Sequence, residues 1–270
     1  MKSLFEQMIG VKVPCDYTWD DKGIVRIGAR RDIAAYAAGD FKGKCVIFLH
    51  GNGETAVSEK YLYDALNEKG ISVIAPDYRG YGLTGGEFSE RGCFEAAHAA
   101  YDWLMHEKSV EATDIIPLGY SLGSGVAVEL AATEEVGGLM LQAPYCSGRE
   151  LLPYWIKKFG VPDCVRRGFL GKLLAPLRLR RAIKAERTFA IDTRLEAIKC
   201  PALIFHGDAD TIIPLAHGEK VLAGLASRRK ELVRVPGGGH NNFQFMMGYD
   251  RYVAQIADFC QGFQMNNFSR

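Results

Sequence analysis

No apolar run in these 270 residues approaches the roughly 20 residues that a membrane-spanning helix needs, and the stretch from Met1 to Glu6 lacks a signal-peptide core. The sequence therefore predicts no integral membrane segment. An excess of charge of one sign is also missing. The 33 Lys and Arg against 32 Asp and Glu leave a formal charge of +1, too little to draw the chain toward nucleic acid. Metal-binding spacing is absent, with no His-Glu-x-x-His and no Cys-x-x-Cys. Neither a metal nor an organic cofactor is expected. The cysteines are few and odd in number, seven of them at 15, 45, 93, 146, 164, 200 and 260. That scatter excludes a disulfide framework and reads as reduced thiols in a cytoplasmic protein.

What is present is an ordinary globular composition, 48% hydrophobic and 24% charged, on a chain long enough to bury one large core. Strand-like apolar runs fall at Ile24 to Ile27, Ile33 to Ala37, Cys45 to Leu49, Ile71 to Ala75, Ile115 to Leu118, Gly138 to Gln142, Ala202 to Phe205 and Leu232 to Val235. From the third onward helical stretches separate them: Glu59 to Lys69, Gly92 to Glu107, Leu122 to Thr133, Leu215 to Ala226 and Tyr249 to Phe263. Continuous apolar strands alternating with helices predict an α/β fold, a mostly parallel sheet of about eight strands covered on both faces and opened by an antiparallel pair. Ligands of such sheets bind beyond the carboxyl ends of the strands.

At one of those ends stands Gly119-Tyr120-Ser121-Leu122-Gly123, between a strand-like run and an Ala/Val-rich helical one. A serine on such a sharp strand-to-helix turn is lifted out of the packing, and the new helix aims its first N–H groups at whatever the hydroxyl attacks. A free serine is not a nucleophile near neutral pH; it needs an imidazole to take its proton and a carboxylate to orient the imidazole. Both residue types follow in turn. Asp208 and Asp210 come just after the strand Ala202 to Phe205, in His206-Gly207-Asp208-Ala209-Asp210, and His240 comes after the next strand, in Gly237-Gly238-Gly239-His240-Asn241-Asn242.

With Leu49-His50-Gly51-Asn52-Gly53 and Asp77-Tyr78-Arg79-Gly80-Tyr81-Gly82 added, these segments run from residue 49 to 241, and the chain resembles the α/β-hydrolase superfamily, within it the serine aminopeptidase-like group of serine hydrolases. The resemblance implies the α/β-hydrolase fold, Ser121 as nucleophile, His240 as base and Asp210 as orienting acid, Asp208 being the near competitor as a turn cap. It also implies two backbone donors to a developing oxyanion, the N–H of Leu122 and the N–H of Asn52. Substrate is left open, because one site of this kind serves esters, thioesters and amides.

The other histidines read as structural: His50 and His206 at strand ends beside glycines, His98 and His106 on a helix surface. His217 is the rival to His240 but comes too soon after Asp210. Gly80-Tyr81-Gly82-Leu83-Thr84-Gly85 also matches a dinucleotide fingerprint. It fails on context, since Pro76 to Arg79 separates it from its strand and Gly86-Glu87-Phe88 continues a loop where a helix is required.

Between Gln142 and Ala202 the chain spends about sixty residues where a plain connection takes far fewer. From Gly148 to Arg187 eleven basic residues face three acidic ones. In the family a lid commonly occupies this place, so residues 148–195 are expected to form a small helical cap, with 1–147 and 196–270 as the core. The apolar cap residues Leu151, Leu152, Tyr154, Trp155, Phe159, Phe169, Leu170, Leu173 and Leu174 are either a substrate wall or the cap's own core. The function expected is a serine hydrolase of carboxylic esters or thioesters, small molecules that include anionic ones if the basic cap faces the site. An aminopeptidase or amidase is the alternative; it needs an acidic group for the substrate's amine, and the cap shows no acidic cluster. A silent binding module is the alternative of another class, and an intact triad argues against it. The sequence is silent on oligomeric state.

Overall fold

The computed structural model describes residues 2–10, 13–160 and 169–262. Eight strands form one sheet: β1 (Ile24–Ile27), β2 (Ile33–Ala38), β3 (Cys45–Leu49), β4 (Ser72–Pro76), β5 (Ile115–Tyr120), β6 (Leu139–Gln142), β7 (Ala202–Gly207) and β8 (Lys230–Val235), in the order β1-β2-β4-β3-β5-β6-β7-β8. β1 pairs antiparallel with β2 and β2 antiparallel with β4, while β3 to β8 are parallel. β3, β4 and β7 are buried along their whole length, which explains their uninterrupted apolar sequences.

The chain steps from β3 to β4 on one side and then returns to β5 on the other. That reversal opens a crevice beyond the carboxyl ends of β3 and β5. The core lies in two halves, one on each face of the sheet. One holds Ile47, Leu122, Val126, Tyr145 and Leu151; the other holds Phe48, Leu62, Tyr63, Phe243 and Tyr252.

Helices α1 (Leu4–Ile9), α2 (Lys60–Glu68), α3 (Glu90–Asp102), α4 (Leu122–Thr133), α5 (Gly148–Phe159), α6 (Phe169–Ala185), α7 (Leu215–Gly224), α8 (Phe243–Met246) and α9 (Tyr249–Cys260) complete the described fold. α9 buries Tyr252, Val253, Ile256, Ala257, Phe259 and Cys260, a stripe at helical spacing. The helix expected to run to Glu107 stops being α-helical at Asp102 and finishes as a π-helical turn, Trp103–Glu107. Residue 263, the expected end of the last helix, lies outside the described residues.

α1 and α8 were not anticipated. α1 is short, but it carries its own start signal. Ser3 Oγ accepts the N–H of Glu6 at 3.0 Å and the Glu6 carboxylate accepts the N–H of Ser3 at 2.9 Å, a reciprocal capping box. Tertiary contacts hold it: the N–H of Phe5 donates to Glu186 at 2.9 Å, and Glu6 accepts the N–H of Glu90 at 3.0 Å.

The long connection between β6 and β7 contains α5 and α6. Ser147 caps α5 by accepting the N–H of Glu150, with Glu150 in the first turn and Lys157 and Lys158 in the last, and Gly160 follows at φ 89°. Tyr154 Oη and Trp155 Nε1 donate to the carbonyls of Thr211 (2.7 Å) and Ile212 (2.8 Å), tying α5 to the loop after β7. Asp163, Cys164, Arg166 and Arg167 lie outside the described residues, as do the side chains of Phe169, Leu170, Lys172, Leu173 and Leu174. Among the described residues no helix is long and apolar enough to cross a membrane.

Candidate active site

Ser121 ends β5 and starts α4 with φ 51° and ψ −112°, a left-handed conformation that costs a non-glycine residue of order 1–3 kcal/mol and needs surrounding support. The support is local. The Ser121 N–H donates to the Gln142 carbonyl at 2.9 Å, and the Ser121 carbonyl accepts from Ser124 Oγ at 2.6 Å. The flanking glycines are required by contact. A Cβ on Gly123 would lie 1.8 Å from the Leu49 carbonyl oxygen, and one on Gly119 would lie 2.3 Å from the Gly123 carbonyl oxygen. Any side chain at either position would push α4 off the sheet.

Ser121 Oγ is 2.9 Å from His240 Nε2, and His240 Nδ1 is 2.7 Å from Asp210 Oδ2. With Nδ1–H donating to the carboxylate, Nε2 presents its lone pair to the serine hydroxyl. Asp210 is fixed in turn: Oδ1 accepts the N–H groups of Ile212 (2.8 Å) and Ile213 (2.9 Å), and its carboxylate is fully buried. Asp208 points elsewhere. It accepts the N–H of Gly237 at 2.7 Å and Arg234 Nε at 3.1 Å, tying the loop after β7 to the end of β8 and the loop that follows it. The sequence therefore brings Ser121, His240 and Asp210 together from three loops at one sheet edge, and leaves Asp208 outside the group.

Four of the other five histidines, His50, His98, His206 and His217, are engaged with structural partners. Burial lowers His50 to about 4, with Nδ1 on the Gly51 carbonyl at 3.0 Å. His206, also lowered by burial, holds the Ile213 carbonyl at 2.8 Å through Nε2. His217 accepts the Cys146 N–H at 3.2 Å through Nδ1, and burial lowers it too. His98 bridges Glu129 and Glu134 at 3.2 Å each on the far side of α3.

Leu122 is the first residue of α4, so its N–H has no partner within the helix. Asn52 lies in the loop after β3 and lines the same cavity as Ser121 and Leu122. Two tyrosines brace that loop from the glycine-rich segment after β4. Tyr81 Oη donates to Asn52 Oδ1 at 2.7 Å, and Tyr78 Oη donates to the His50 carbonyl at 2.9 Å. No helix follows those glycines until Glu90. A Cβ on Gly82 would meet Asp77 Oδ2 at 2.0 Å, so the glycine makes room for a buried carboxylate. Asp77 accepts the Ala56 N–H at 2.7 Å and Tyr17 Oη, and burial pushes it up to about 7. Tyr120 holds the histidine loop, donating to Asn241 Oδ1 at 2.7 Å.

The group opens into a cavity of about 400 Å³. One wall is apolar: Phe5 and Ile9 of α1, Leu151 and Trp155 of α5, and Ile212 and Ile213, with Phe5 stacked on Trp155 at 5.4 Å between ring centres. The opposite wall, from the other face of the sheet, carries Glu54, Glu59, Tyr120, Gln142, Gln244 and Tyr252. Among the described residues no Lys or Arg lines the cavity, and Arg178, Arg180, Arg181 and Lys184 of α6 are exposed to solvent. Sequence reasoning passed over Phe5, Glu54 and Glu59. The Ser3-x-x-Glu6 pattern was the available signal for α1; nothing local marks the two glutamates.

The model of the family described as serine aminopeptidase, S33 matches residues 42–189, more than half of the chain; the protein therefore belongs to this hydrolase family of the α/β-hydrolase superfamily. Its relatives include the human protein ABHD12B, 32% identical over 73% of this chain and 55% of that protein. Another is the lysophosphatidylserine lipase ABHD12 of zebrafish (Danio rerio), 30% identical over 69% of this chain and 48% of that protein. The chain thus spans about half the length of these two relatives. Among solved structures the esterase Pf2001 of Pyrococcus furiosus shares the fold with a TM-score of 0.72 at 18% identity, over 94% of this chain and 98% of that one.

Proposed function

We propose that the protein is a serine hydrolase that cleaves a carboxylic ester or thioester through an acyl-enzyme. The observation that carries this reading is the unbroken hydrogen-bond chain Ser121–His240–Asp210 with its serine on a cavity wall. Ser121 Oγ attacks the carbonyl carbon while His240 Nε2 takes its proton, and the carbonyl oxygen gains charge between the N–H groups of Leu122 and Asn52. Collapse expels the alcohol or thiol, which leaves with the proton from His240. Water, deprotonated by the same nitrogen, then attacks the acyl carbon and releases the acid and Ser121. Asp210 stays ionised and stabilises the imidazolium. The segment 148–195 acts as the cap, with α5 supplying the apolar wall for the acyl chain.

The test is covalent labelling by a fluorophosphonate together with turnover of p-nitrophenyl esters. Wild type labels, Ser121→Ala does not, and the variant loses several orders of magnitude in kcat, as enzymes do when the attacking oxygen is removed. Asp210→Asn stays folded and loses about 10⁴ in kcat through the wrong imidazole tautomer, whereas Asp208→Asn acts on stability. Labelling that persists in Ser121→Ala removes the assignment, and the reverse ranking of the aspartates moves the acid to Asp208.

A further inference from the structure

Beside the reacting group the cavity wall holds two carboxylates that the hydrolytic steps do not use. Glu54 follows the loop that carries Asn52, and its Oε2 accepts the Gly51 N–H at 2.7 Å. Glu59 stands immediately before α2. Both are partly buried and line the cavity with Ser121. Among the described residues neither has a cationic partner; the neighbouring Lys60 is turned to Asp64, 2.6 Å away. Buried carboxylates are ordinarily paired or neutralised. Here burial pushes Glu54 up to about 7 and raises Glu59 as well, the two acids reinforcing each other at Glu54.

A second observation comes from the groups around them. Tyr63 is fully buried and its hydroxyl meets no hydrogen-bond partner among the described residues. Tyr63 belongs to the core half behind this wall, and its phenol is raised by burial and then by the charges of Glu59 and Glu54. Gln244 Oε1, on the same cavity wall, is also buried without a partner. The rings of Tyr120, Phe243 and Tyr252 complete this side. Carboxylates and an unpartnered carbonyl among aromatic faces, with no lysine or arginine, make a site complementary to an organic cation.

We infer that this wall binds an organic ammonium group carried by the substrate, so that the hydrolase prefers esters with a cationic arm lying opposite the apolar α1–α5 wall. The inference rests on the hydrolase reading. The cation gives Glu54 and Glu59 the partner that the described residues do not provide, and the aromatic faces add cation–π attraction. Arg178, Arg180, Arg181 and Lys184 of α6 are exposed to solvent and outside the cavity wall, and do not oppose it at contact distance.

The test compares esters matched in shape. Choline butyrate against its uncharged all-carbon analogue places the cation on the alcohol, and leucine p-nitrophenyl ester against its des-amino analogue places it on the acyl group. In wild type the cationic member of at least one pair is favoured in kcat/KM by about 10- to 100-fold, the range for a desolvated cation among carboxylates and rings. The favoured pair identifies the arm. The preference, read as a ratio, falls toward one in Glu59→Gln and in Glu54→Gln, each checked for folding by circular dichroism. Glu59→Gln supplies the answer if Glu54→Gln, which also holds the Gly51 N–H, does not fold. Calorimetric binding of choline against its uncharged analogue reads the same wall without turnover. Loss of choline binding in Glu59→Gln supports the inference even where no ester is cleaved, an outcome that would overturn the hydrolase reading alone. Equal handling of both members of both pairs, or a preference and choline affinity unchanged in Glu59→Gln, overturns the inference.

Discussion

The two walls of the cavity are built from different chemistry and from opposite faces of the same sheet. The α1–α5 wall is a continuation of one core half, closed by the Phe5–Trp155 stack and by hydrogen bonds from α5 to the loop that carries Asp210. The α2–α9 wall interrupts the other core half with two carboxylates that have no cationic partner and a glutamine carbonyl that has no hydrogen-bond partner among the described residues. The first is arranged largely as protein interior is arranged, apolar except for the buried hydroxyl of Tyr145. The second departs from that rule where the proposed reaction takes place. A departure of this kind is what a binding surface costs, since groups left ready for a ligand are groups not employed in the fold.

The comparison is most exposed to test on the apolar side. Trp155→Ala removes the stack on Phe5 and opens the wall, and kcat/KM for long acyl chains is expected to fall about 10-fold or more while short esters change little, in keeping with the discrimination hydrophobic pockets achieve per methylene. A series of p-nitrophenyl esters of increasing chain length checks it. An equal fall at all lengths shows that Trp155 supports the fold rather than the acyl chain.

A smaller effect is expected on the acidic side, in stability against pH. The Glu54 carboxyl lies at about 7 in the fold against an ordinary 4.5, so between those values the folded state keeps a proton that the unfolded chain has lost. Stability from this group is therefore complete below about pH 4.5 and declines as pH rises toward 7. Glu59, Tyr120 and Tyr252 stand around it and provide no positive charge that would reverse the sign. Glu54→Gln lacks that decline, so its melting temperature should gain on wild type by a few degrees between pH 4.5 and pH 8, the shift expected of about 1 kcal/mol in a domain of this size. A gap independent of pH would mean that Glu54 ionises normally.

The smallest effect is reserved for the basic segment. Arg178, Arg180 and Arg181 are exposed on α6, where salt at ordinary strength screens charges within about 8–10 Å. Their combined reversal to Glu should alter kcat/KM for a neutral ester by less than about threefold and act on charged substrates mainly at low ionic strength. A large, salt-insensitive change would place this segment against the substrate and weaken the contrast between the walls.

The eight strands were legible because buried parallel strands leave uninterrupted apolar runs, and every predicted run lies within a residue or two of its strand. Serine, acid and histidine were legible as an order along the chain. The choice of Asp210 over Asp208 rested on resemblance alone, since two aspartates two residues apart differ only in where the turn points them. The acidic wall was not legible. An amine-binding group was sought in the cap, whereas Glu54 and Glu59 belong to the β3–α2 connection and reach the cavity only because the sheet reverses direction at β3. The π-helical end of α3 was equally hidden, being a one-turn change in hydrogen bonding that leaves the apolar spacing almost intact.

The capping box of α1 has a consequence for engineering. A six-residue helix that carries its own start signal, contributes Phe5 and Ile9 to the cavity, and touches none of Ser121, His240 or Asp210 through a hydrogen bond is a compact place at which to repack that wall. A combinatorial library confined to positions 4, 5, 8 and 9, with Ser3 and Glu6 held constant, would reshape one side of the chamber while leaving the chemical groups and the opposite wall as they are. Selectivity for one arm of a substrate then becomes a trait that can be bred separately from rate.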